Sequence, residues 1–177
     1  MSISISIRSS RGGVKPAAAR MKIQKLLHTV FGVDRLRDGQ QQVIDSVLEG
    51  RDTLAIMPTG SGKSLCYQIP AAMLPGATVV VSPLISLMKD QLQKMEEVGI
   101  DAAQVNSSLS RTEERAVLER IGGEFSDIVF CTPERLTSPD FLAVLEDTPV
   151  SLVVIDEAHC ISQWAIPAFI GQICAVA

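Results

Sequence analysis

The sequence predicts an α/β fold, a parallel sheet with helices on both faces. Three observations carry that reading. Short apolar runs that read as strands alternate with segments of helical period along most of the chain. Most of those strands are apolar on both faces, as expected of a sheet covered on both sides. At residues 53–64 an apolar run, a glycine turn and a helix start follow one another, placing a turn at the C-terminal end of a strand, where ligands bind on such sheets.

The elements follow in order. Residues 22–31 read as a short helix ending at Phe31-Gly32. Asp38 is placed to cap a second helix, with Val43, Ile44, Val47 and Leu48 on one face and Gly50 closing it. Thr53 to Met57 reads as a buried strand, and the helix opened by Lys63-Ser64 stops near Pro70. Ala77 to Val81 is a second buried, β-branched strand. Leu84, Leu87, Met88, Leu92 and Met95 recur at helical spacing and read as core. Residues 101–105 form a weaker strand, and Ser110 with Glu113 makes a capping box for a helix ending at Gly122-Gly123. Asp127 to Cys131 is a strand, Ser138-Pro139 opens a short helix, and Val150 to Ile155 is a strand ending in Asp156-Glu157-Ala158-His159.

Composition sets the bounds. A chain of 177 residues is one domain with room for a core. No apolar run reaches the roughly 18 residues of a membrane span. Net charge is −4, but residues 1–33 hold six basic residues and no acidic one, leaving ten basic against twenty acidic elsewhere. Residues 1–21 therefore read as a basic, disordered leader, with a transit peptide as the alternative and Met21 as a second candidate start. Cys66, Cys131, Cys160 and Cys174 form no C-x-x-C pair; reduced thiols, with no disulfide and no zinc, are the expectation.

Chemistry gathers at two places. In Pro58-Thr59-Gly60-Ser61-Gly62-Lys63-Ser64, the glycines let backbone N–H groups face an anion, and a helix N-terminus adds partial positive charge. Lys63 can reach β- and γ-phosphates, and Ser64 can offer its hydroxyl to Mg²⁺. The general pattern wants a glycine at position 57, where Met57 stands. Asp156 and Glu157 follow an apolar strand; beside a nucleotide, Asp156 would hold Mg²⁺ and Glu157 would orient and deprotonate water. His159 is either a polar residue of that turn or a link from the nucleotide site to a second one.

Pro-Thr-Gly-Ser-Gly-Lys-Ser-Leu-Cys-Tyr-Gln-Ile-Pro at 58–70 resembles motif I of the RecQ family of DNA helicases. Val-Ser-Pro-Leu-Ile-Ser-Leu-Met-Lys-Asp-Gln at 81–91 is similar to motif Ia, and Thr-Pro-Glu-Arg-Leu at 132–136 to motif Ib. Asp-Glu-Ala-His-Cys-Ile-Ser-Gln-Trp at 156–164 is similar to motif II and the start of the aromatic-rich loop. The resemblance spans residues 24–164. It implies a RecA-like P-loop NTPase domain, ATP and Mg²⁺ as cofactors, and 3′–5′ unwinding of DNA in repair and recombination. Single strands and duplex junctions are the implied partners, with no membrane partner and a cytoplasmic location, nucleoid-associated if the source is bacterial. Nucleotide contacts are implied at Thr59, Gly60, Ser61, Gly62, Lys63 and Ser64. Gln40 is implied to read the adenine edge and Arg37 to pack on the base, with Val33 where the family has an aromatic. The implied catalytic set is Lys63, Asp156, Glu157 and His159. DNA contacts are implied at Ser82, Lys89, Asn106, Ser107, Thr132, Arg135 and Trp164.

The sequence departs from the family after Trp164, where Gly-His-Asp-Phe-Arg-Pro gives way to Ala-Ile-Pro-Ala-Phe-Ile-Gly-Gln. Residues 165–177 read as a divergent apolar tail, either unrelated or resuming the family register after a small deletion. The family's motif III strand, which lies between the P-loop strand and the Asp-Glu strand, has no counterpart in these residues. The resemblance thus expects a one-strand gap there, about 9–10 Å wide. The second motor domain and its arginine finger also have no counterpart. The chain by itself is expected to unwind nothing; a nucleotide- or nucleic-acid-binding unit without turnover is the alternative.

Overall fold

The computed structural model describes residues 2–7, 16–58, 60–123 and 127–163. One six-stranded sheet organises the chain: β1 (Ser2–Ile7), β2 (Thr53–Met57), β3 (Ala77–Val81), β4 (Ala102–Val105), β5 (Ile128–Cys131) and β6 (Val150–Ile155). Their order across the sheet is β2-β1-β6-β3-β5-β4. The β6-β3-β5-β4 block is parallel throughout, as expected of apolar strands joined by helices.

Helices α1 (Pro16–Thr29), α2 (Gln40–Leu48), α3 (Leu65–Ala71) and α4 (Ile85–Glu97) contribute to the core on one face of the sheet. There Ile23, Ile44, Leu48 and Met88 pack with Val80, Phe130, Leu152 and Val154. Helices α5 (Arg111–Gly123) and α6 (Pro139–Asp147) cover the other face. Phe141, Leu145 and Ile121 pack there with Val79, Val81, Val129 and Val153. Alternate residues of β3 thus enter opposite cores, and all five are buried.

The predicted boundaries mostly stand within two residues. The capping box forms in both directions: the Ser110 N–H donates to Glu113 Oε2 at 2.8 Å, and the Glu113 N–H donates to Ser110 Oγ at 3.3 Å. Asp38 does not cap α2. Gly39 takes that position at φ 85°, with no side-chain cap. Leu84 precedes α4 and is exposed, so the buried stripe is Met88, Gln91 and Met95.

Three expectations are corrected by the strand order. Residues 1–21 are not a disordered leader throughout, since Ser2–Ile7 form β1 and α1 already begins at Pro16. The slot expected to be empty between β2 and β6 holds β1, antiparallel to both neighbours. Finally, β2 is an edge strand rather than a buried one. Ala55 and Met57 are buried, whereas Leu54 and Ile56 stand on the opposite face, 59% and 57% exposed.

Candidate nucleotide site

The sharp turn after β2 requires left-handed backbone, and Gly60 (φ 76°) and Gly62 (φ 81°) supply it. A Cβ at Gly60 would meet nothing within 4 Å, so the backbone there faces open space. At Gly62 a Cβ would come 2.7 Å from Gln40 Nε2. The hydroxyl of Ser61 is buried without a protein hydrogen-bond partner. An open backbone cradle with an unsatisfied hydroxyl fits an anion that accepts hydrogen bonds.

Arg37 and Gln40 hold this loop from behind. The Arg37 guanidinium donates to the Gly60 carbonyl at 2.5 Å. Gln40 Nε2 donates to the carbonyls of Gly62 at 2.8 Å and Ser61 at 3.2 Å. Gln40 Oε1 accepts the Arg37 N–H at 2.6 Å. Gln40 is 1% exposed and both its amide hydrogens are engaged. In this conformation it braces the phosphate loop and is not presented to a base. Beside it, a groove of about 590 Å³ is lined by Ile23, Leu27, Leu36, Arg37, Gln41 and Asp45. Val33 packs against the core at its partly buried position.

Tyr67 joins the loop to the acidic pair. Burial pushes its phenol above the ordinary tyrosine range, and the charge of Asp156 pushes the same way. A hydrogen bond with the Ser64 hydroxyl pulls in the opposite direction, and Cys66 adds a small upward push. Asp156 at the end of β6 and Ser64 at the start of α3 therefore both act on the Tyr67 phenol. Lys63 and Val154 also line one small cavity with Tyr67 and Cys66. The residues from these two distant stretches are thus brought together. Sequence reasoning gave Tyr67 no role; its position three residues after Ser64, one helical turn on, was the available signal.

The acidic turn is strained. Glu157 has φ 53°, uncommon for a residue with a side chain and costing on the order of 1–3 kcal/mol. Its N–H lies 3.0 Å from Asp156 Oδ1 and its carbonyl accepts the Cys160 N–H at 2.8 Å. His159 Nδ1 stands 3.3 Å from Glu157 Oε2, with the imidazole about half exposed. Among the described residues no three His, Cys, Asp or Glu gather as a metal cluster. A hydroxyl and a carboxylate near a phosphate cradle suit Mg²⁺, which takes few protein oxygens and the rest from phosphate and water.

The residues expected at DNA divide. Ser82, Thr132 and Asn106 follow β3, β5 and β4, and all three are buried. Their side chains lie inside the C-terminal edge of the sheet rather than standing out from its surface. Ser82 Oγ accepts the Leu84 N–H at 3.4 Å, and Asn106 Oδ1 accepts from Ser108, closing local turns. Arg135 is partly buried and pairs with Glu114 at 2.8 Å. Lys89 and Ser107 are exposed. Thr59, Trp164 and the tail 165–177 lie outside the described residues.

Residues 37–176 match the DEAD/DEAH box helicase family. The chain belongs to that family. Within it the likeness is to RecQ helicases. This DEAD/DEAH box domain is 52% identical over 147 residues to "ATP-dependent DNA helicase RecQ" of Bacillus subtilis, covering 81% of this chain and 24% of that protein. It is 44% identical over 161 residues to "ATP-dependent DNA helicase Q-like 5" of Arabidopsis thaliana, covering 90% of this chain and 18% of the relative. The helicase domain therefore spans less than a third of the length of these relatives. A solved structure titled "Crystal Structure of DUF1998 helicase MrfA bound to DNA and AMPPNP" superposes with a TM-score of 0.59 at 21% identity, covering 81% of this chain and 22% of that one. That likeness shows the RecA-like fold.

Proposed function

We propose that this domain binds ATP and Mg²⁺ and serves as the first motor domain of a RecQ-type DNA helicase. The observation that carries the reading is the junction at Tyr67, where the end of the phosphate loop meets the strand bearing Asp156. Backbone N–H groups of residues 60–63 and the free Ser61 hydroxyl would receive the phosphates, with Lys63 on the β- and γ-phosphates. Ser64 and Asp156 would hold Mg²⁺, which when bound neutralises developing phosphate charge. Glu157 would orient the attacking water and take its proton. His159, through its contact with Glu157, is the residue placed to report events outside the pocket. Arg37 would lie against the base at the groove beside the loop, and Gln40 would reach the adenine edge only by releasing a loop carbonyl.

DNA is the proposed partner, as the relatives' names and the DNA-bound neighbour support. Lys89 and Ser107 are the exposed members of the expected contact set, and such residues suit backbone contact without sequence preference. Single strands and junctions are the proposed forms, with Trp164 as a stacking surface. Unwinding 3′ to 5′ in repair and recombination is proposed for a protein that carries this domain with a second motor domain. The 177-residue chain alone is expected to bind nucleotide and unwind nothing.

The test is the Mg²⁺ dependence of nucleotide binding. Titrating the chain with a nonhydrolysable ATP analogue should give tighter binding with Mg²⁺ than with a chelator, and Asp156→Asn should lose most of that difference. Equal Mg²⁺ dependence in the two proteins would contradict the assignment.

A further inference from the structure

The phosphate loop and the acidic pair stand on strands that do not touch. In the sheet order, β1 is the one neighbour of β2, and β6 lies beyond it. Among the described residues no strand pairs with the outer edge of β2, and its Leu54 and Ile56 face is exposed. Only the Ala55 and Met57 face is packed, against Cys66 and Val43. Among the described residues the hydrogen-bonded tie between β2 and the rest of the sheet is therefore β1.

The register is specific on both sides. Ser2 to Ser6 pair with Met57 to Thr53, and Ile5 to Ile7 pair with Ile155 to Val153. Ile5 thus stands between Leu54 and Ile155, and Ser6 between Thr53 and Val154. Because β1 is antiparallel to both, β2 and β6 run parallel to each other, and their C-terminal ends point the same way. A slip of one residue would shift the loop by about 3.3 Å and turn the other face of β2 toward the helices. Strict Ser-Ile alternation over residues 2–7 is the pattern of a strand with two unlike faces.

We propose that residues 2–7 are a positioning strand for the nucleotide site. By pairing with β2 and β6 together they hold the phosphate loop at a fixed height against Asp156 and Glu157. The functional half of this inference rests on the nucleotide reading above; the strand itself does not. It makes the N-terminal segment a determinant of affinity in addition to the residues that would touch nucleotide.

Ile5→Pro in the full chain tests it, because proline removes an N–H and is excluded from a strand paired on both edges. Amide exchange at Thr53–Met57 should speed at least tenfold, while Thr78–Val81 in β3 keeps its protection. Affinity for a Mg²⁺-bound ATP analogue should fall at least tenfold. Exchange at β2 within twofold of the parent would overturn the proposal. A second measurement does not depend on the variant's stability. With Cys160→Ser and Cys174→Ser in place, Ile5→Cys/Leu54→Cys should close a disulfide on mild oxidation, since directly paired residues lie within disulfide reach. Failure of that bridge in a folded chain would also overturn it. If the parent chain binds no nucleotide, the nucleotide reading fails, while exchange and cross-linking still decide the strand.

Discussion

Gln40 shows how much one side chain can commit. Its amide bridges Arg37 and two carbonyls of the phosphate loop from a position that is almost wholly buried. Gln40→Ala leaves those carbonyls without their donor, at a cost of about 1–3 kcal/mol. Nucleotide affinity should fall roughly 5- to 150-fold, and unchanged affinity by titration would show that the loop does not need this brace. Gly62→Ala should act in the same direction, since it combines left-handed backbone with a Cβ 2.7 Å from the same amide. Glu113 supplies a pH-dependent counterpart. Hydrogen bonds from the Ser110 hydroxyl and backbone hold its carboxyl below the usual glutamate range. Its contribution is present above the ordinary glutamate pKa and is lost as pH falls through the lowered value. The protection of first-turn amides of α5, taken relative to intrinsic exchange at each pH, should therefore fall in acid, and Glu113→Gln should flatten that dependence.

At the scale of elements, Gly76 marks the tightest approach before β3. A Cβ there would stand 2.4 Å from the Pro149 carbonyl and 2.5 Å from Ser151 Oγ. Gly76→Ala must push β3 from the start of β6, costing about 1–3 kcal/mol. For a chain of this size the expected fall in Tm is about 2–4 °C per kcal/mol; a Tm equal to the parent's would contradict the packing described. Elements held by local pattern were the legible ones. The β-branched run of β3, the apolar run of β6 and the Ser110-Glu113 box could be placed from residues alone. β1 was not, because residues 1–33 were read by their basic, acid-free composition and the six-residue Ser-Ile alternation inside them went unread. The exposure of Leu54 and Ile56 was hidden for a related reason: an apolar run looks the same at an edge as in the centre until strand order is known. Gln40 and Tyr67 owe their roles to partners across the fold, Gly62 and Asp156, which no local pattern reveals.

For the whole molecule, the sheet divides into a well-covered parallel block and a β1-β2 margin that carries the phosphate loop. Two buried thiols lie on either side of this division. Burial pushes Cys66, beneath the loop, up to about 12, and pushes Cys131, at the end of β5, higher still. Both favour the neutral thiol in the folded state. The stability they contribute is complete below the ordinary thiol value of about 9 and is lost as pH rises from there through the folded values. Urea midpoints should hold steady between pH 7 and 8 and decline above about 9, and a midpoint flat to pH 11 would contradict that burial. On the proposed reading, one nucleotide site is assembled from the loop of β2 and the end of β6, with Lys63 gripping the triphosphate. Calorimetric titration of the chain and its Lys63→Ala variant with Mg²⁺ and a nonhydrolysable ATP analogue decides it. One saturable site in the parent and no detectable binding in the variant is the predicted result; equal affinity in both would contradict it.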